Sequence, residues 1–172
     1  MMQLSPARLT VMLRNDYEGQ NCSIARALEV VGERWTLLIV RDVFLGLRRF
    51  DQMQESLGIA RNVLTDPRNR LVDEGILQRV RYRDRPERYE FQLTQKGRDL
   101  LVPLTALGQW GDQYLNEKPP TLLRRKKDKK PIVAALVPQG TSSVLAEDTE
   151  LVAGPGRKTQ DYPWRLVTPV PD

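Results

Sequence analysis

Four arginines recur at alternate positions near the middle of the chain: Arg79, Arg81, Arg83 and Arg85. Alternate residues of a β-strand share one face, so a strand here would carry the four guanidinium groups side by side. Guanidinium groups bind phosphate oxygens strongly, and the pattern therefore predicts a strand that contacts nucleic acid. The alternative is an exposed edge strand whose charges only prevent pairing with another chain.

The composition excludes several kinds of catalytic chemistry. The chain of 172 residues has no histidine, which removes Ser-His-Asp and Cys-His catalysis and the zinc motifs that need histidine. It also lacks a glycine-rich phosphate loop, and no cofactor or metal is indicated, so we predict that the protein is not an enzyme. A net charge of +5 and a pI near 9.6 favour a polyanionic partner.

The single cysteine, Cys22, is the second candidate site. One cysteine excludes an intrachain disulfide. Cys22 directly precedes a predicted helix, and a helix N-terminus favours the reactive thiolate form of a cysteine. This thiol could therefore sense oxidants or electrophiles, either alone or through a disulfide between two subunits. The alternative is a small, buried and inert thiol.

Helical periodicity predicts four helices before the arginine-rich segment, over about 23–31, 35–45, 50–57 and 61–74. The second of these is apolar enough for a buried strand, but its apolar face continues for about ten residues, which favours a helix. Gly58 separates the third helix from the fourth. Two helices joined by a glycine-containing turn are typical of the helix-turn-helix motif.

The hydrophobic period changes from 3.6 to 2 over 77–93, where a turn at Pro86 predicts a β-hairpin. A helix-turn-helix followed by a hairpin forms a winged helix, whose second helix enters the major groove. A long closing helix over about 95–115 follows Thr94, and Pro103 should kink or split it. The predicted fold class is α+β, mainly α: a winged helix-turn-helix with a closing helix and a small C-terminal β appendage.

The composition also predicts four parts of the chain: an N-terminal arm (1–19), the winged helix-turn-helix domain (20–115), a basic linker (116–130) and a small β-containing C-terminal extension (131–172). Strands are predicted at 132–137 and 150–153. The basic run in the linker is either simply solvated or adds to DNA affinity. No apolar run could cross a bilayer and the first residues lack a signal-peptide pattern, so we expect a cytoplasmic protein.

The sequence resembles the HxlR-type transcriptional regulators, which are winged-helix relatives of the MarR group. The motifs that carry the resemblance include GERWTLLIVRD and LGIARNVLTD, and in order they lie at 22–28, 32–42, 49–51, 57–66, 74–77, 88–91 and 93–97. The resemblance implies a homodimeric repressor that binds an inverted repeat of double-stranded DNA and responds to a small-molecule or redox effector. It also implies dimerisation through the first helix and the closing helix.

By position, the resemblance places Arg61, Asn62 and Thr65 on the recognition helix, facing DNA. Arginine pairs with guanine, asparagine with adenine, and threonine contacts phosphate or the thymine methyl group. Arg68 and Arg70 on the same helix are further candidate DNA contacts. Asn62 and Thr65 could instead cap a helix.

Two residues of that helix depart from the family pattern. Pro67 and Arg68 stand where relatives carry a basic residue and a leucine. A helix that starts near Arg61 would lose about 3 kcal/mol at Pro67 through a clash and a missing hydrogen bond. Alternatively, Asp66 caps a shorter helix that begins at Pro67. Arg68 replaces an inward-facing apolar residue, so it must extend outwards or the helix must rotate.

Two other functions are weighed against DNA binding. One is a winged-helix module that binds a protein partner, and the other is an enzyme that uses the lone thiol without a histidine base. Trp35 and Trp110 are expected to anchor the core or a dimer interface rather than to stack on a ligand.

Overall fold

The computed structural model describes Tyr17 and residues 21–156; most of the predicted arm and the end of the predicted extension lie outside these residues. The elements are α1 (Ser23–Val31), α2 (Thr36–Phe44), α3 (Phe50–Leu57), α4 (Arg61–Asp73), β1 (Leu77–Asp84), β2 (Glu87–Leu93), α5 (Gln95–Arg98), α6 (Leu101–Leu115), β3 (Thr121–Arg125), a 3-10 turn (Ala146–Asp148) and β4 (Thr149–Ala153). None of the helices in this part of the chain is long and apolar enough to span a membrane.

The hydrophobic core forms around α2, which confirms that this apolar segment is a helix. Ile39, Val40 and Val43 are buried and recur at helical spacing, so they form one inward face. The buried residues packed with them come from α3, α4 and the start and end of the hairpin: Met53, Leu64, Leu71, Ile76, Leu77 and Phe91. This shared core fixes α3, α4 and the hairpin relative to one another.

Glycines make the two sharp turns on either side of α4. Gly58 ends α3 with a φ of 63°, and Gly75 follows α4 with a φ of 66°. Both values lie in the left-handed region, where residues with a Cβ are strained. The turn at Gly58 gives the predicted helix-turn-helix, with α4 as its second helix, and the turn at Gly75 joins α4 to the hairpin.

The hairpin lies where it was predicted, but its arginines do not all share one face. The register shifts between Arg81 and Arg83, so the alternation breaks beyond Arg81. Arg79 lies opposite the buried Phe91, on the side of the hairpin that packs on the domain. The expectation of a single arginine row is therefore wrong: Arg79 lies beside α4, while Arg83 and Arg85 lie at the exposed tip.

The predicted closing helix is split into α5 and α6. Thr94 caps α5, because its Oγ1 accepts a hydrogen bond from the N–H of Gly97 at 3.2 Å. Pro103 is the third residue of α6. The N–H groups of a first helical turn have no intrahelical partner, so a proline there costs no hydrogen bond. The split confirms the expected effect of Pro103.

The C-terminal strands differ from the prediction. β3 (Thr121–Arg125) forms inside the predicted linker and pairs antiparallel with β4, whose position agrees with the predicted 150–153 strand. The strand predicted at 132–137 is absent. The start of the segment makes one backbone hydrogen bond, from the N–H of Ile132 to the carbonyl of Leu123, and Gln109 binds the backbone of Ile132 and Ala134. A cross-strand ion pair stabilises β3, with Nε of Arg124 at 2.8 Å from Oε1 of Glu150.

Asp42 is a carboxylate buried in the core. Its Oδ1 accepts hydrogen bonds from Nε and Nη2 of Arg41 at 2.9 and 2.6 Å. Burial raises the pKa of Asp42 above its usual 3.8, and the neighbouring Arg41 offsets only part of this shift. The folded protein therefore holds this proton more tightly than the unfolded chain does.

We expect Asp42 to make the free energy of unfolding fall as the pH rises above 3.8, because the folded state binds more protons in that interval. The Asp42→Asn variant should lack this contribution. Urea unfolding of both proteins between about pH 4 and pH 7 measures the difference. If the free energy of unfolding changes with pH in the same way in both proteins, the prediction is contradicted.

Candidate nucleic-acid interface

The recognition helix α4 has one buried side and one exposed side. Leu64, Pro67 and Leu71 are buried. Asn62 lies on the other side of the helix and is exposed. It does not cap the helix, because Ala60 is the N-cap residue and no side chain makes a capping hydrogen bond there. Its amide makes no hydrogen bond to the described residues and can therefore contact a base edge.

α4 runs without a break through Pro67, so the alternative of a shorter helix that begins at Pro67 is wrong. Proline has no N–H, and the carbonyl of Val63 therefore loses its helical partner. Burial of the Pro67 ring offsets part of that cost. Thr65 does not cap the helix either, since its hydroxyl donates to the carbonyl of Arg61 at 2.8 Å.

Arg68 neither extends into solvent nor rotates the helix. Its guanidinium carbon lies 5.1 Å from the ring centre of Phe50 and 4.9 Å from that of Phe91. Its Nε is buried and has no hydrogen-bond partner among the described residues. Burial lowers the pKa of Arg68, and repulsion from Arg79 and Arg61 lowers it further. Nη2 of Arg68 donates a hydrogen bond to Oδ1 of Asn69 at 2.5 Å. An anion in front of the guanidinium would supply the negative charge that the described neighbours lack.

Three arginines line a cleft between α4 and the hairpin, which we call the arginine cleft: Arg61, Arg68 and Arg79. The cleft has a volume of about 490 Å³. Arg61 lies 4.8 Å from the ring centre of Phe50, and Arg79 lies 3.5 Å from that of Tyr89. Asp73 is the single acidic residue of the lining, so the cleft carries a net positive charge.

The tip of the hairpin carries a second group of positive charges. The charge of Arg81 is compensated, because its guanidinium forms ion pairs with the carboxylates of Asp84 at 3.1 Å and Glu87 at 3.2 Å. No described carboxylate pairs with the remaining arginines of the tip, which are Arg83, Arg85 and Arg88. The uncompensated charge therefore lies at the turn and in the arginine cleft, at the two ends of the hairpin.

Arg70 is exposed, but its guanidinium is already used within the domain. Its guanidinium donates to the backbone carbonyl of Glu29 and so links α4 to α1. A further contact joins the start of α3 to the hairpin and was not predicted: the guanidinium carbon of Arg49 lies 4.8 Å from the ring centre of Tyr82.

The thiol of Cys22 is exposed, which contradicts the alternative of a buried, inert thiol. Cys22 is the N-cap residue of α1 and has an extended backbone. Its carbonyl accepts a hydrogen bond from the N–H of Arg26 at 3.1 Å, and its side chain makes no capping hydrogen bond. The sulfur is therefore open to a small oxidant or to a second thiol.

Large apolar side chains lie uncovered on α1 and α6. On α1, Ile24 is 71% exposed. The uncovered face of α6 consists of Leu107, Trp110 and Tyr114, which are 54%, 54% and 62% exposed. Trp35 instead packs partly against the core. Exposed apolar patches of this kind mark interaction surfaces, so Trp110 is not a core residue.

A helix-turn-helix that exposes one side of its second helix, with a hairpin and a positive cleft beside that helix, defines the winged helix-turn-helix class. The chain belongs to the HxlR-like helix-turn-helix family, whose sequence profile matches residues 30–119. It is therefore a transcriptional regulator and not an enzyme.

Three relatives illustrate the match. Rv3095 of Mycobacterium tuberculosis, an uncharacterized HTH-type transcriptional regulator, is 50% identical over 114 residues, which are 65% of this chain and 71% of that protein. The crystal structure of PA1607, described as a candidate transcription factor, gives a TM-score of 0.64 at 37% identity and covers 77% of this chain and 94% of its own. The oxidized form of the redox regulator HypR gives a TM-score of 0.51 at 27% identity, and the match covers 54% of this chain and 96% of that one.

Proposed function

We propose that this regulator is a homodimeric repressor that binds an inverted-repeat operator in double-stranded DNA. The observation that carries the proposal is the position of the arginine cleft beside the exposed side of α4. With α4 in the major groove, a phosphate in the cleft would fix the register of the helix on the duplex. The arginines of the hairpin tip would contact the neighbouring backbone or the minor groove. A bound dimer would then block access to the promoter.

Each exposed residue at the start of α4 has a role in this proposal. Asn62 forms a bidentate pair with an adenine, and Arg61 contacts guanine or phosphate. The hydroxyl hydrogen of Thr65 is used by the carbonyl of Arg61. Thr65 therefore offers DNA an acceptor oxygen and a methyl group. Arg70 serves DNA binding indirectly, because its bond to Glu29 holds α4 on α1.

The Asn62→Ala variant should lose about 1–3 kcal/mol of discrimination at one base pair of each half-site. Competition binding with single-base variants of the operator measures this loss. Affinity for unrelated DNA should stay unchanged, because Asn62 carries no charge. An equal loss on operator and unrelated DNA would show that Asn62 contacts the backbone instead.

Selection of genomic fragments by the purified full chain tests the proposed function itself. We expect enrichment of one inverted repeat whose half-sites are about one helical turn apart. A folded dimer that enriches no sequence would refute the proposal and favour a winged-helix module that binds a protein partner.

Dimerisation is part of the proposal, and the uncovered apolar residues of α1 and α6 support it. Pairing of these helices between two copies would bury Ile24, Leu28 and the uncovered face of α6. It would also place two α4 helices on one side of the dimer, as an inverted repeat requires.

We further propose that oxidation of Cys22 releases the operator. The exposed thiol at the start of α1 supports this, and the structural relative HypR is described as a redox regulator. Two Cys22 thiols from the two subunits would form a disulfide, and their two hydrogens and two electrons would pass to an oxidant such as diamide. The new bond would shift α1, and with it α4 through the bond between Arg70 and Glu29.

Diamide should lower operator affinity about tenfold in the wild-type protein and leave Cys22→Ser unaffected, because the variant cannot form the disulfide. Fluorescence anisotropy measures the affinity, and a non-reducing gel shows the linked dimer. Equal affinities before and after treatment of the wild type would remove the thiol response and keep the regulator.

A further inference from the structure

A cavity of about 630 Å³ lies between α2, α6 and the C-terminal strands. Its apolar walls include Leu38 and Phe44 of α2, Leu104 of α6 and Leu122 and Leu123 of β3. None of its lining residues belongs to the arginine cleft. A mostly apolar cavity of this size, with few polar groups, is typical of sites that bind small molecules.

Two glycines of α6 leave room in this cavity. Gly108 and Gly111 lie in the interior of the helix, where glycine costs about 1 kcal/mol relative to alanine. Neither has a positive φ, and a Cβ built at either position would meet no atom within 4 Å. The backbone and packing of the chain therefore do not require glycine here. What the two glycines provide is open space in the cavity wall.

The wall opposite α2 is held in place without a ligand. Gln109 donates through Nε2 to the carbonyl of Ile132 at 3.0 Å and accepts at Oε1 from the N–H of Ala134 at 2.9 Å. The hydroxyl of Thr105 donates to the carbonyl of Leu101 at 2.7 Å. These polar groups are already satisfied. The cavity is therefore preformed, and they are not the groups that would orient a ligand.

Arg41 is the basic residue of the lining, and its side chain is 28% exposed. Its Nε and Nη2 bind Asp42, while Nη1 makes no hydrogen bond to the described residues. The acidic lining residue, Asp112, already accepts a hydrogen bond from Asn116 at 3.1 Å. The unused donors of Arg41 therefore favour an anionic group on the ligand.

We propose that this cavity binds a small aromatic or alicyclic molecule that carries one acidic group. The acid pairs with Arg41, and the ring lies between α2 and the glycines of α6. Leu107 of the uncovered face also lines the cavity, whereas Trp110 and Tyr114 do not, so dimerisation centred on the two aromatic residues leaves the cavity open. The inference does not depend on DNA binding, because ligand binding is measured without DNA.

The experiment uses two fluorescent probes and the full chain. One probe is 8-anilinonaphthalene-1-sulfonate, an aromatic molecule with one acidic group, and the other is Nile red, which is neutral. Gly108→Leu fills the cavity and should lower the affinity for both probes about tenfold or more. Gly108→Ala adds one carbon to open space, so it is the matched control and should keep both affinities within about twofold.

A second pair of variants tests the acidic group. Arg41→Met is combined with Asp42→Asn so that no buried carboxylate loses its partner. This double variant should weaken the sulfonate probe about tenfold and leave Nile red unchanged. Asp42→Asn alone should bind both probes like the wild type, because Arg41 is kept.

Thermal unfolding shows which variants fold. If Gly108→Leu does not fold, Gly111→Leu is used in its place. The proposal is overturned if the folded leucine variants bind both probes as the wild type does. It is also overturned if Trp110→Ser abolishes binding, since the probes then occupy the uncovered face of α6. Failure of the operator selection together with intact probe binding would refute the proposed function alone.

Discussion

Exchange of Arg68 and Arg79 for methionine is expected to weaken operator binding by the dimer about 4,000-fold at roughly 0.1 M salt, or about 60-fold for each subunit. Each phosphate that a protein cation neutralises releases about 0.9 counterions from B-DNA. Loss of two contacts in each subunit, four in the dimer, should therefore lower the slope of log affinity against log salt by about 3.6. Fluorescence anisotropy at a series of salt concentrations measures both quantities.

The same exchange should leave the fold intact or make it more stable. The guanidinium of Arg68 is half-buried between Phe50 and Phe91, and its Nε is unpaired among the described residues. Burial and the nearby Arg79 lower its pKa, which shows that the protonated group is disfavoured there. Methionine fills similar space without a charge, so the exchange removes the repulsion among Arg61, Arg68 and Arg79 and leaves no cavity. Stability and DNA affinity should thus change in opposite directions.

A matched control removes the same number of charges elsewhere. Lys127→Gln combined with Lys130→Gln lowers the net charge of the basic run by two, as the double methionine variant does in the cleft. If the cleft binds phosphate, only the methionine variant flattens the salt dependence. Equal slopes for the two variants would show that DNA responds to the total charge and not to the arginine cleft.

The elements of the winged helix follow from the sequence because each has a local signal. Helical spacing of apolar residues gave α1 to α4, and the change to a period of 2 gave the hairpin. The continuation of α4 through Pro67 could not be predicted in this way. There, local propensity opposes the helix, and burial of Leu64 and Leu71 on the shared core outweighs it.

The arginine cleft could be predicted only in part, because it depends on contacts between distant segments. Alternation predicted that the arginines of β1 share a face, but the register shift and the pairing of Arg79 with Phe91 were not visible in the sequence. Phe50 and Tyr89 were missed for the same reason. An aromatic residue that supports an arginine shows no periodicity that separates it from a core residue.

The C-terminal strands were mispredicted because their signals are weak and competing. The segment 132–137 is more apolar than β3, yet its backbone is bound by Gln109 of α6. β3 instead obtains its partner from β4, more than twenty residues further along the chain. Tertiary contacts of this range override local β propensity. The proposed ligand cavity depends on the same contacts, so it could not be predicted from the sequence.

The Trp110→Glu variant is expected to weaken dimerisation about 150-fold, which corresponds to about 3 kcal/mol for a central aromatic residue of an interface. Trp110 is 54% exposed and packs on Tyr114 with ring centres 5.5 Å apart, so its loss leaves the described core unchanged. A monomer binds one half-site and loses the benefit of the linked second site. Operator affinity should therefore fall by a factor of about 100.

Sedimentation velocity measures the oligomeric state, and Leu136→Glu is the matched control. Leu136 is an apolar residue that is fully exposed, outside α1 and α6. A carboxylate there should leave the dimer and operator binding unchanged, because no proposed contact is lost. If Trp110→Glu remains a dimer, the two copies pair through another surface, and the uncovered face of α6 serves a different partner. If Trp110→Glu is a monomer that binds the operator like the wild type, each α4 acts alone and the inverted-repeat proposal fails.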